Sequence, residues 1–72
     1  MGITDEFKGE GRVPKALRFG ATVLEAKIEA GKVNKATADL LLNRLKECEA
    51  ANEPEDLKII GISQVIGVIS SA

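Results

Sequence analysis

Histidine, tryptophan and tyrosine are absent from this sequence, cysteine occurs once, and phenylalanine and proline occur twice each. Each scarcity removes a class of chemistry. A single cysteine, Cys48, excludes a disulfide within the chain, and without histidine a closed zinc site in one chain has no ligand set. Proton transfer loses its commonest carrier when histidine is missing. Single-strand nucleic-acid binding, which stacks bases on aromatic rings, would have only Phe7 and Phe19 to use. No apolar run reaches the ~20 residues needed to cross a bilayer, because Lys58 and Gln64 interrupt the longest one.

What remains is a 72-residue chain, 44% hydrophobic and 29% charged, which is the balance of a globular domain rather than a disordered segment. At this size one domain is the limit, and stability is marginal without staples or partners. The net charge of −1 argues against a dedicated polyanion binder. Its distribution is uneven. Residues 8–35 are net basic through Lys8, Arg12, Lys15, Arg18, Lys27, Lys32 and Lys35, whereas residues 36–72 are net acidic. The start, MGITDEFKGEGRVP, is acidic where a secretion signal is basic and apolar, so an intracellular, soluble and reducing setting is expected. Gly2 followed by Thr4, Asp5 and Glu6 is a poor myristoylation signal.

Residues 1–13 read as an extended, glycine-rich arm carrying isolated apolar pegs at Ile3, Phe7 and Val13. Residues 14–72 read as one small all-α domain with helices over about 14–30, 35–51 and 54–70. Pro14 suits a helix start, and Leu17, Ala21, Leu24 and Ile28 repeat on one helical face. A second row of Phe19, Val23, Ala26 and Ala30 adjoins it, giving an apolar arc wider than one neighbour requires. Gly31 fits the left-handed position after that helix. Asn34 suits the N-cap of the next, whose seam is Ala38, Leu41, Leu45 and Cys48 with Leu42 alongside. Leu40 falls off this seam. Asn52 and Glu55 together suggest a capping box for the third helix.

The tail LKIIGISQVIGVISSA carries two competing patterns. On a helical wheel Ile62, Val65, Ile66, Val68 and Ile69 gather on one side, with most of the serines, Gln64 and Gly67 on the other. Against helix stand two interior glycines, which cost about 1 kcal/mol each relative to alanine, and seven β-branched residues. IIGISQ and VIGVIS nearly duplicate one another at an even period, as a strand would. No partner strand exists within the chain, so the alternative to helix is a strand paired with another molecule. Gly61 and Gly67 are six residues apart, outside the four-residue spacing of small-residue helix contacts.

No constellation suits catalysis, and the chain is expected not to be an enzyme and to need no metal or cofactor. Cys48 lies on an apolar seam, where a thiol behaves as a small hydrophobe with raised pKa. Glu47, Glu49, Glu53, Glu55 and Asp56 lack the ligand order and turn glycine of a calcium loop. Apolar surface in excess of a monomer's needs points instead to association. The expected function is a structural or accessory subunit of a larger assembly, of the physical type of a virion (capsid-associated) component. Its partners would be further copies of itself or a larger protein assembly. The candidate interface residues are Phe7, Leu40, Ile59, Ile62, Val65, Ile66 and Ile69. The alternative is a small oligomeric regulatory module that binds a protein, or nucleic acid through Lys8, Arg12, Lys15 and Arg18.

Overall fold

A computed structural model describes residues 3–72. It contains a 310 turn, η1 (Ile3–Glu6), and three helices, α1 (Arg12–Glu29), α2 (Lys35–Ala50) and α3 (Glu55–Ser71), with no strand among the described residues. The all-α expectation holds, each helix lying within two residues of its expected bounds. The tail is helical, so the intermolecular strand is not its conformation here. Burial decides against the strand pattern: Ile62, Val65 and Ile69, at helical spacing, all enter the core.

Local chemistry sets the helix ends. Past the C-cap of α1, Gly31 adopts φ 72°. The Lys32 N–H bonds the Lys27 carbonyl at 2.9 Å and the Gly31 N–H bonds that of Ile28 at 3.0 Å, the double bond of a Schellman ending. Asn34 caps α2, its Oδ1 accepting from the Thr37 N–H at 2.8 Å. The capping box expected at α3 does not form. Pro54 holds the N-cap position with no side-chain bond, and Glu55 and Asp56 instead face Arg12 across the bundle. Likewise α1 begins at Arg12, with Pro14 inside its first turn, where no intrahelical N–H bond is lost.

Arg12 Nη1 lies 3.3 Å from both Glu55 and Asp56, and Lys27 Nζ donates to the Ala72 carbonyl at 3.2 Å. Starts meet starts and ends meet ends, so α1 and α3 run parallel and pack directly together, with α2 antiparallel to both. The core gathers Phe7, Leu17, Ala21, Leu24, Val33, Ala38, Leu41, Leu42, Leu45, Ile62, Val65 and Ile69, and among the described residues no polar or charged one is buried. At its centre Gly20 brings the three helices close. A Cβ there would sit 3.1 Å from Ile66 Cγ1 and 3.4 Å from both δ-carbons of Leu45.

The arm is not extended at its start. Residues Ile3–Glu6 turn, and Phe7 inserts into the core with 1% of its surface exposed. Residues 1–2 of the expected arm lie outside the described residues. Arg18 clamps the segment, donating through Nη1 to the carbonyls of Phe7 at 3.1 Å and Gly9 at 2.9 Å. The Ile3 N–H reaches Glu25 Oε2 at 2.8 Å, and Glu6 pairs with Lys46 at 2.6 Å. The Cα radius of gyration, 11.4 Å, matches the ~11 Å expected of a compact domain of this length.

Candidate interaction surface

Helix α3 is where the surface departs from the ordinary. From Ile59 to Ala72 no residue is charged, and apolar side chains point to every side of the helix. Three of them, Leu57, Ile60 and Val68, are exposed large hydrophobics. Spaced i, i+3 and i+11, with Gln64 at i+7, they form one stripe along the outer face. A helix apolar all round is normally enclosed on all sides. Beside the stripe, α2 presents Leu40, 66% exposed, toward Val68, 60% exposed. Both line a groove of about 460 Å3 between α2 and α3, completed by Thr37, Leu41, Arg44, Gln64 and Val65. A second hollow, about 260 Å3, continues past Gln64 toward Gly61, Cys48 and Glu53.

The expected interface residues separate in the structure. Phe7, Ile62, Val65 and Ile69 are buried in the chain's own core, Ile59 and Ile66 are half-buried, and of the seven Leu40 alone is exposed. Only Leu40 and Val65 come together at the groove. Val68 is turned outward, not inward with the tail's core face as the wheel suggested. Leu57, Ile60 and Val68 were not among the expected interface residues; the signal available was the uncharged stretch itself, which gives no direction. Total accessible surface, 4695 Å2, compares with about 4,300 Å2 for a folded monomer of this mass. One chain therefore encloses its own core; large apolar side chains also stand exposed on α1, at Phe19 and Ile28.

The candidate nucleic-acid residues are largely committed elsewhere. Arg18 holds the arm and Arg12 pairs with Glu55 and Asp56, leaving Lys8 and Lys15 exposed without partners of their own among the ion pairs described. Replacing Arg18 with glutamine should loosen residues 3–9 and lower stability by about 1 kcal/mol, the scale of such hydrogen bonds at a partly exposed site. Urea unfolding measures this, and an unchanged midpoint would show that the arm is held without the clamp.

Cys48 is half-buried beside Gly61, where an added Cβ would lie 3.3 Å from Sγ. Burial raises the thiol pKa, helped by the Glu47 and Glu53 carboxylates and opposed by Arg44, so the thiolate needed of a nucleophile is disfavoured. Among the described residues no cluster of acidic or cysteine side chains is arranged to hold a metal ion, and no helix is long and apolar enough to cross a membrane.

No family model, curated protein or solved structure matches the chain. The class defined by fold and surface is a small three-helix bundle with an unpartnered apolar stripe.

Proposed function

We propose that this protein is a non-enzymatic structural subunit that joins a protein assembly, a virion shell or a cellular complex, through the α2–α3 face. The observation carrying this reading is the pair Leu40 and Val68, two large apolar side chains held open to solvent across one groove. The stripe of Leu57, Ile60 and Val68 extends it along the whole of α3. Removing apolar surface from water is worth roughly 25 cal/mol per Å2, which favours contact at this face over any polar face of the bundle. Charge supplies little of the affinity in this reading, because α3 beyond Lys58 has none.

Absolute mass in solution, measured by light scattering from micromolar to submillimolar concentration, tests the proposal. The chain should exceed its single-chain mass of 7.6 kDa as concentration rises. A Leu40→Asp/Val68→Asp variant should remain at that mass with unchanged helicity, since both positions are exposed and outside the core. Added salt should hold or strengthen the association rather than weaken it. A native chain that stays monomeric across the range would overturn the reading.

A further inference from the structure

The two hollows between α2 and α3 form one trough. Arg44, Gln64 and Val65 line both, so no wall divides them, and among the described residues none from α1 lines either. The packing explains why the trough stays open. Helix α3 lies most extensively along α1, and α2 meets each of the other two less closely. Along α2 the lining runs from Thr37 to Ala51, which is about 21 Å at the rise of a helix. Resting on the assembly reading for its face, we propose that this trough seats an amphipathic helix of another protein, one with apolar anchors along one side, cations in its first turn and a carboxylate at its middle.

The lining decides for a helix over an extended segment. Both walls are helices whose backbone groups bond internally, so a strand laid between them would find few partners for its own N–H and C=O groups. Burying those groups unpaired is costly, whereas a helix satisfies its own. The walls also have the right grain. Gly61, Gln64 and Val68 are spaced i, i+3 and i+7 on α3, and Leu40, Arg44 and Glu47 are spaced i, i+4 and i+7 on α2. Each wall is thus one helical ridge, and the trough between them has the length of about four turns of a guest. The guest supplies on the open side of α2 and α3 what α1 supplies on the closed side.

Charge selects the guest and its direction. The rim carries one cation, Arg44, at its middle and two acids, Glu47 and Glu53, toward its Ala51 end. All three act on the Cys48 thiol, and none takes part in an ion pair among the described residues. Lys58 is already committed to the Glu49 carbonyl, at 2.9 Å. The opposite end, at Thr37, Leu40 and Val68, is uncharged. A guest carboxylate therefore meets Arg44, and guest cations meet Glu47 and Glu53. The positive start of the guest belongs at that acidic end, over the last carbonyls of α2, so the guest runs antiparallel to α2 as α1 does. Such rim pairs fix direction and partner more than affinity, which comes from covering Leu40 and Val68. This chain's own helices do not fit. Helix α3 has acids in its first turn, α1 has Arg12 committed to α3 and Glu25 to the Ile3 N–H, and α2 has its leucines in the core or in the trough itself.

Two synthetic peptides test the proposal. Both are helical, about four turns long, with leucine at i, i+3, i+7 and i+10. One carries two lysines in its first turn and a glutamate at its middle, and its twin has these charges inverted. Each is titrated by calorimetry into chain dilute enough to be monomeric. The first should bind one to one and at least about fivefold tighter than the twin at low salt, with the preference narrowing as ionic strength rises. Arg44→Glu should narrow the preference as well, and Leu40→Asp/Val68→Asp should weaken binding at least about tenfold with helicity unchanged. Equal binding of the twins would overturn the charge-selected guest and leave the assembly reading intact. If neither peptide binds while Leu40→Asp/Val68→Asp still abolishes self-association, a second copy fills the trough and the guest helix is overturned. Binding of the first peptide to a chain that stays monomeric at every concentration would uphold the guest helix and overturn self-association.

Discussion

Replacing Leu45 with alanine should bring the chain close to unfolding. Leu45 is fully buried, and both of its δ-carbons reach the point where α1 presents only the hydrogen of Gly20. Deleting a buried leucine to alanine costs about 2–5 kcal/mol through lost transfer energy and the cavity left behind. A domain of this length has about 4–11 kcal/mol in total. The loss is therefore a large share of the whole. At about 4–8 °C per kcal/mol for so small a domain, a loss near 3 kcal/mol lowers the melting temperature by about 12–24 °C. Thermal unfolding followed by far-ultraviolet circular dichroism measures it. Leu40→Ala is the natural comparison, because the same deletion at an exposed site should change stability by less than about 0.5 kcal/mol. A Leu45→Ala variant melting within a few degrees of the native chain would mean that α2 does not close the core as described.

The contrast between those two leucines marks how far the sequence was readable. The seam Ala38, Leu41, Leu45 has helical period and borders polar residues, so its buried face announces itself, and Gly31 and Asn34 mark the end of α1 and the start of α2. Leu40 falls outside that seam and is exposed, as its position implies. In α3 the same logic has nothing to grip. Isoleucine and valine occur on every side of the helix, so the wheel put Val68 inside and gave no sign that Ile60 and Leu57 face water. Tertiary placement decided it: α3 lies mainly along α1 and turns Ile62 and Ile69 toward it.

The arm failed to be legible for a different reason. Its glycines and alternating charges resemble a solvated segment, and nothing local reveals that Arg18, eleven residues on from Phe7, accepts the task of binding two arm carbonyls. Such a clamp is non-local in character: the guanidinium fork fits carbonyls brought to it only once Phe7 has found the core. A basic residue read as a phosphate contact is, in the folded chain, an internal strut. The same holds for Arg12, whose carboxylate partners lie more than forty residues away.

Gly20 is the residue whose importance the sequence hid most completely, since a glycine within an apolar helical stretch carries no periodic signal. Replacing it with leucine should cost about 3 kcal/mol. The first added carbon alone would lie 3.1 Å from Ile66 Cγ1 and 3.4 Å from Leu45, and the three carbons beyond it would enter space that Leu45 already fills. Overpacking of this kind costs about 1–3 kcal/mol. The upper end applies here, because the contact joins all three helices. Helix propensity offsets part of this, by up to about 1 kcal/mol when glycine is replaced, but cannot reverse it. The decisive measurement is the double variant. If Gly20→Leu is destabilising because it competes with Leu45 for one volume, then Gly20→Leu/Leu45→Ala should melt above the level that the two single losses predict. Residues sharing a cavity couple by about 0.5–3 kcal/mol. Strict additivity would show that the two side chains do not share that space, and that α1 and α2 meet somewhere other than at Gly20.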